Sequence, residues 1–331
     1  MPQNVLFSKW LFTVAFGIGA TAPAWAVASS VEESATLEEI VVTAQKREEK
    51  VIDVPMSISV LSGDTLEELG VKSVLDLAFA VPSLGAFQVS PGQNLLEIRG
   101  ISGFRGAGTL VGLYMDEVPL SGGIRLGDGS GLDIQTIDLA RVEVLKGPQG
   151  TLFGEGGVGG VIRYVTNDPK LNTTEGSITA TYFNTHGGAD STELAGVLNV
   201  PIVNDVLAVR IVGAYESDGG WIDNISTGEK NFNNDRVADV RTKVLFAPSS
   251  ELKVSGLVDI HRLDADAQNI VNVLPYDRSR FQQAVYPNFP TNAFNDFDLY
   301  NLTASYDFGF ATLLGSTALS PPPLPAAPAA A

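Results

Sequence analysis

The sequence predicts two parts in tandem, a small α+β domain followed by strands of an antiparallel transmembrane β-barrel. Three observations carry that expectation. Between Val51 and about Asn167, strand signals alternate with short helix signals, as in a compact α+β domain of ordinary size. From Glu175 onward the chain changes to long two-residue alternations of apolar and polar residues. Short and long connections then alternate between those stretches, the asymmetry of outer-membrane barrels.

Composition narrows the function. The 331 residues hold 21 Lys plus Arg against 38 Asp plus Glu, a net charge of −17. So acidic a chain is a poor match for nucleic acid, whose phosphates need a basic face. The absence of cysteine excludes disulfides, thiolate metal sites and thiol nucleophiles. No apolar run is long enough for a membrane helix, so insertion would have to be as a barrel.

In chain order, residues 1–26 read as an export signal. Lys9 supplies the positive charge, Trp10 to Ala20 the apolar core, and Ala24-Trp25-Ala26 the cleavage site, with Ala28 as a second candidate. Residues 27–50 follow: small and acidic Ser29 to Thr36 without a predicted fold, then the β-prone Leu37-Glu38-Glu39-Ile40-Val41-Val42-Thr43-Ala44, then a flexible tether from Gln45 to Lys50. The α+β domain covers residues 51–170. Val54 to Val60 alternates as a strand; Asp64 is expected to cap a helix with Glu67 three residues on, ended by Gly70. Ser73 begins a second helix that stops before Pro82, Leu95 to Arg99 and Val111 to Met115 are strands, and Asp133 caps a short helix carrying Ile134 and Ile137.

The run Arg141 to Thr166 organises this domain. Val142 and Val144 face one way and Arg141, Glu143 and Leu145 the other, until Gly147-Pro148 stops the strand. Seven glycines lie between Gly147 and Gly160, too many for a regular element, before Val161 to Val165 resumes as a strand. The reading is strand, Gly-rich crossover, strand. Gly154, Gly156 and Gly159 satisfy G-x-G-x-x-G, but a strand follows where the dinucleotide fingerprint needs a helix, and there is no G-K-[ST]. Nucleotide binding is therefore not expected.

RVEVLKGPQGTLFGEGGVGGVIRYVT resembles the end of the plug domain of TonB-dependent outer-membrane receptors. Lys146 stands where arginine is usual there, Phe153 for tyrosine and Glu155 where a basic residue is common. Ile98-Arg99-Gly100-Ile101 is similar to that family's IRG motif. Leu113-Tyr114-Met115-Asp116-Glu117-Val118-Pro119 is similar to its Y-x-D-G-V-P motif, with Glu117 where glycine or asparagine is usual and so strained if the turn needs φ > 0. Leu37 to Ala44 resembles the TonB box, which would add as a strand to a sheet edge of TonB. The resemblance spans residues 37 to about 169 and implies structural roles for Arg99, Gly100, Asp116, Arg141, Glu143, Gly147, Pro148, Gly150, Gly154 and Gly160.

Residues 171–318 read as the first seven or so barrel strands. Ile178, Ala180 and Tyr182 form one apolar face; Leu207, Val209, Ile211 and Tyr215 another, opposite Arg210. Val240, Thr242, Val244 and Phe246 oppose Asp239, Arg241 and Lys243, and Leu252, Val254, Val258 and Ile260 oppose Lys253, Ser255, Asp259 and His261. Tyr300, Leu302, Ala304 and Tyr306 oppose Asn301, Thr303 and Ser305. Plugged transporters close with about 22 strands, and residues 319–331 form a Pro/Ala-rich tail that cannot continue a sheet, so the chain is expected to be a receptor cut short.

The resemblance implies an outer-membrane importer, exported through the Sec pathway, that takes up a scarce ligand such as a ferric siderophore with energy relayed by TonB. Its partners would be TonB, outer-membrane lipid and that small ligand; no catalytic residue, metal or cofactor is expected. The alternative is a truncated receptor, or a plug that binds TonB without transport. Arg105 and Arg125 are candidates for contacting an anionic ferric chelate. Arg99 and Arg141 are instead expected to pair with acidic residues of the barrel wall. His186 and His261 are expected in or beside external loops as solvated side chains, Asp259, Asp264 and Asp266 in the lumen or loops, and Asp128 with Asp133 has no trusted cation-site spacing.

Overall fold

The computed structural model describes residues 10–14, 41–42, 46, 49–103, 109–120, 131–154, 156–267, 281–285 and 291–320. The first strand, β1 (Trp10–Val14), belongs to the wall sheet; the elements of the plug and the segment leading into it are β2 (Val41–Val42), β3 (Glu49–Lys50), β4 (Ile58–Ser62), α1 (Gly63–Leu69), α2 (Val74–Ala80), β5 (Leu84–Ser90), β6 (Gln93–Ile98), β7 (Ile101–Ser102), β8 (Val111–Met115), β9 (Val118–Pro119), β10 (Gly131–Leu132), β11 (Leu139–Lys146), α3 (Gly150–Phe153) and β12 (Gly160–Thr166). The wall follows as β13 (Glu175–Asn184), β14 (Asp190–Val203), β15 (Leu207–Asp218), β16 (Asp223–Asn224), β17 (Asp235–Phe246), β18 (Leu252–Ala265), β19 (Gln282–Gln283), β20 (Ala293–Phe294), β21 (Phe297–Asp307) and β22 (Thr312–Leu319).

The plug is built on a five-stranded sheet ordered β4-β11-β12-β8-β9, beside a smaller sheet of β10, β6, β5 and β7. β11 sits second in the larger sheet, antiparallel to β4 and β12, while β12 runs parallel to β8. Both faces of β11 and β12 are covered: Val142, Val144, Leu145, Val161, Ile162 and Tyr164 are all buried. A strand buried on both sides has no outer face, so Glu143 and Leu145 are as buried as the valines they alternate with. The link between them is a hairpin rather than a crossover, since Lys146 pairs with Gly160.

Within that hairpin loop the glycines do not exclude regular structure, because Gly150–Phe153 makes one helical turn. Gly160 is the position where only glycine fits: its φ is +153°, and a Cβ would lie 2.3 Å from the Leu145 carbonyl oxygen. Gly150 meets nothing within 4 Å and Gly154 is constrained only by its φ of +63°.

Other local expectations shift by a few residues. Val51–Asp53 forms a 3-10 turn and β4 starts at Ile58, three residues after Pro55, which has no N–H for a ladder. The cap of α1 is Ser62, whose hydroxyl accepts from the Thr65 N–H at 3.2 Å; Asp64 lies inside the first turn, and Gly70 ends the helix at φ +65°. α2 has the expected Ser73 cap with a reciprocal Asp76. Asp133 caps no helix of its own, as residues 133–137 are irregular; its carboxylate accepts instead from the Val74 N–H at the start of α2, at 3.2 Å. In the β8–β9 turn the positive φ falls on Asp116, at +49°, and not on Glu117.

The wall is an open antiparallel sheet in which β13, β14, β15, β17, β18, β21 and β22 follow in chain order. Connections on one side are short, as at 204–206 and 247–251, and on the other run from Asp218 to Asp235 and from Ala265 to Phe297. Ile178, Ile211, Val240 and Leu302 are exposed on the outer face; Arg210, Asp239, Arg241, Lys243, Asp259 and His261 are buried on the inner face, against the plug. Leu257, Phe297 and Leu299 of the wall join the plug's own apolar core. β20 pairs with β18, and β16 with β19, in the long connections. Residues Trp10–Val14, inside the expected export signal, pair with the free edge of β13. Among the described residues, no helix is long and apolar enough to cross a membrane.

Candidate functional site

The site is the seam where the plug meets the wall, together with the segment leading into the plug. Its plug side begins at the register of β11 and β12, which places Glu143 opposite Arg163. Fully buried Glu143 accepts from Arg141 Nε at 2.7 Å and from Arg163 Nη1 at 3.3 Å. The other arm of Arg163 donates to Glu117 at 2.6 Å, and its Nε donates to the Asp116 carbonyl at 2.8 Å. Lys46 completes the chain through Glu117 at 2.5 Å. Arg141 thus pairs inside the plug, contrary to the expected pairing with the wall. Arg99 is exposed on the β6–β7 turn, where its φ of +54° and the +80° of Gly100 give a two-residue hairpin turn.

The wall contributes three buried cations. Arg210 of β15 forks onto the Asp138 carboxylate at 2.6 and 2.7 Å, and also donates to Glu175 at 3.0 Å. Lys243 of β17 donates to Asp116 at 3.1 Å and to the Thr166 hydroxyl at 2.8 Å, and pairs with Asp168 at 2.7 Å. Arg241 donates to the Ile137 carbonyl at 2.9 Å. Arg210 and Lys243 thus have close carboxylate partners in their burial, whereas Arg241 has one carbonyl acceptor and the Asp259 carboxylate 4.0 Å away.

Electrostatics at this seam follow from the same contacts. Burial alone would raise the Asp116 carboxyl, but Lys243 and the Thr166 N–H and hydroxyl outweigh it and hold it below its ordinary value. Asp133 is pushed up, because burial outweighs its Val74 N–H and the neighbouring Asn94 and His261. His261 is no solvated loop histidine. It is buried on β18 with Nδ1 3.1 Å from Asp239 Oδ2 and its ring stacked on Phe297. Asp259 faces the lumen side as expected, beside Arg241. Among the described residues, no cluster of histidine and carboxylates could hold a metal ion.

The leading segment is partly fastened. Val41–Val42 pairs antiparallel with Glu49–Lys50, and buried Val42 packs in a cluster with Val54, Tyr114, Leu145, Phe153 and Val161. Lys46 Nζ lies 4.7 Å above the Phe153 ring. The expected tether from Gln45 to Lys50 is therefore held at Lys46, Glu49 and Lys50. Leu37 to Ile40, Thr43, Ala44, Arg105, Arg125 and Asp128 lie outside the described residues.

Sequence reasoning missed Lys46, Asp138, Arg163 and Lys243 as members of this seam. A usable signal existed: every inward charge on β15 and β17 interrupts an otherwise apolar alternation, and a buried charge demands a partner.

Comparison with known proteins agrees with this architecture. The family model described as "TonB-dependent Receptor Plug Domain" matches residues 50–161. The pesticin receptor of Yersinia enterocolitica is 30% identical over 252 residues, covering 73% of this chain and 34% of that protein. The vitamin B12 transporter of Vibrio vulnificus is 28% identical over 194 residues, covering 57% of this chain and 30% of that protein. Among solved structures, the ferric yersiniabactin uptake receptor of Yersinia pestis aligns with a TM-score of 0.63 at 24% identity, over 76% of this chain and 38% of that one. The ferripyoverdine receptor of Pseudomonas aeruginosa aligns at 0.61 and 16% identity, over 81% and 34%. The chain spans about a third of the length of the curated relatives it matches. With a plug sheet seated by buried charge against the inner face of an antiparallel wall, the chain belongs to the TonB-dependent outer-membrane receptors.

Proposed function

We propose that the chain serves uptake of a scarce small ligand across the outer membrane, with a ferric siderophore as the leading class, energised by TonB pulling on Leu37 to Ala44. The observation that carries this is the strand pairing at Val41–Val42. Among the described residues this β-prone peptide pairs through Val41–Val42 with Glu49–Lys50, a strand partner that it is poised to exchange for a sheet edge of TonB. The relatives' names supply the ligand class: a pesticin receptor, a vitamin B12 transporter and catecholate siderophore receptors. Arg105 and Arg125 remain the proposed contacts for an anionic chelate, and outer-membrane lipid the proposed surround of the wall's apolar face. Binding and displacement suffice for this function, so no catalytic group is assigned.

The test is a titration of the periplasmic domain of TonB with a peptide of Leu37 to Ala44. We expect binding, and clear weakening on Val41→Pro, which removes a backbone donor. Unchanged affinity in the Val41→Pro peptide means that the segment is only a linker.

A further inference from the structure

Two cavities lie between the plug and the inner face of the wall. The first, about 460 Å³, runs along β13 past Ser177, Thr179 and Thr181, with α1 on its plug side and Asp138 and Arg210 at one end. The second, about 360 Å³, opens among Thr185, Ser191, Asp218 and Trp221, at the end of the sheet that carries the long connections. Both are bounded by Gly70, Lys72 and Phe183, so they abut at one neck. From Ser177 to Phe183 the first cavity extends roughly 20 Å at the usual rise of a strand.

Lys72 lines that neck together with Gly70 and Phe183. Its ammonium pairs with Glu193 of β14 and sits 4.6 Å from the centroid of the Phe183 ring. Its own N–H donates to Asp76 Oδ2 at 3.1 Å, which fixes the base of the side chain at the start of α2. The far end of the first cavity and the neck are held differently. Arg210 and Asp138 form a fork with side chains only 10% and 8% exposed, whereas Lys72 is 35% exposed and its ion pair has a single point of contact. Solvent weakens the second kind of pair far more than the first. Beyond the neck, the three hydroxyls of β13 recur at every second residue and so line one face, able to donate and accept along the whole route.

We propose that Lys72 is a gate residue, whose ammonium separates the two cavities and whose release joins them into one polar passage along β13 for small hydrophilic solutes. This rests on reading the chain as a receptor whose plug is seated in a wall. Release needs no movement of the plug body, only a new rotamer of one side chain.

The chain has no cysteine, so a single Thr181→Cys substitution in the full chain gives a unique probe just beyond the neck. Its modification rate by a small neutral methanethiosulfonate is measured in detergent, with Lys72 intact, Lys72→Ala and Lys72→Arg. Ala208→Cys, on the wall's buried inner face away from the neck, is the control. Lys72→Ala should raise the Thr181→Cys rate roughly two- to fivefold, the range that a partly exposed ion pair can gate, while Lys72→Arg and the Ala208→Cys control stay near the original rate. An unchanged Thr181→Cys rate in Lys72→Ala overturns the gate, and so does a parallel rise at Ala208→Cys, which would mean general loosening. Binding of TonB's periplasmic domain is measured on the same preparations. Retained binding with no rate change sinks the gate alone, and lost binding with Lys72 intact sinks the receptor reading beneath it.

Discussion

β12 of the plug and β17 of the wall both bury basic residues, but they satisfy them in different places. Arg163 finds Glu143, Glu117 and the Asp116 carbonyl within its own domain. Lys243 and Arg241 reach across the seam, to Asp116, Thr166 and the Ile137 carbonyl of the plug. The buried Arg163 of the plug is thus satisfied inside its own domain, whereas the buried cations of the wall and the plug carboxylates Asp116 and Asp138 satisfy one another only across the seam. That difference makes the wall a mould for the plug: an empty wall leaves Arg210, Arg241 and Lys243 facing a lumen without their plug partners.

The largest expected effect tests this contrast directly. Glu143→Ala removes the acceptor shared by Arg141 and Arg163 and leaves Arg163, only 4% exposed, short of a partner. Leaving a buried charge with no partner costs about 3–5 kcal/mol; Arg163 keeps Glu117, so the loss should lie toward the lower end of that range and still be large in a thermal melt. Arg210→Ala, at the seam, should cost less in the melt. Its effect should appear instead as faster hydrogen exchange around Asp138, where the plug loses its hold on the wall. Equal melting losses from the two substitutions would erase the distinction between a network closed inside the plug and a pair that spans the seam.

The same contrast explains what the sequence disclosed. The wall has one exposed apolar face and one face toward the plug, so its alternation maps directly onto environment, and Ile178, Ile211, Val240 and Leu302 all point outward. β11 and β12 are covered on both faces, so alternation there carries no such information, and Glu143 could be placed on a strand but not in a buried pair. The hairpin between them was misread as a crossover because glycine content reports turning and not direction. The pairings of Asp138 with Arg210 and of Lys46 with Glu117 join positions 72 and 71 residues apart. Nothing local encodes a contact of that separation, and only the demand of a buried charge for a partner hints at it.

A smaller effect concerns acid, and it splits two carboxylates of the plug. Asp116 is held below its ordinary value of 3.8 in the folded chain. Its contribution is therefore present above that value and is lost as pH falls through the lower folded one. Asp133 is raised above 3.8 by burial, so its ionised form opposes folding at neutral pH and that penalty fades on acidification. Asp133→Asn keeps an oxygen for the Val74 N–H and removes the charge. Urea titrations at pH 7 should therefore find it at least as stable as the parent, with the difference closing near pH 4. Asp116→Asn should be less stable than the parent at pH 7, because buried Lys243 loses one of its two charged partners and keeps only the exposed Asp168. If both substitutions shift stability in the same direction at pH 7, the electrostatic account of the seam is wrong.

The smallest effect, and the sharpest, lies in the glycine loop between the two buried strands. A motif read from sequence treats its glycines alike, whereas the structure gives each a different constraint. Gly160 cannot take a Cβ without moving the Leu145 carbonyl, and Gly154 sits at φ +63° and ψ −137°, a region that side chains avoid. Gly150 is free of both constraints: it opens the helical turn of α3 and an added methyl meets nothing within 4 Å. At such a site alanine restricts the unfolded chain more than the folded one and favours the helical turn. Gly150→Ala is thus expected to stabilise the chain by roughly 0.4–1 kcal/mol, while Gly154→Ala and Gly160→Ala destabilise it, with Gly160→Ala the worse of the two. Denaturant midpoints of the three variants measured side by side decide the matter. A destabilised Gly150→Ala would mean that the loop needs backbone freedom at its helical turn as well, and that the plug's tolerance ends one turn earlier than its geometry indicates.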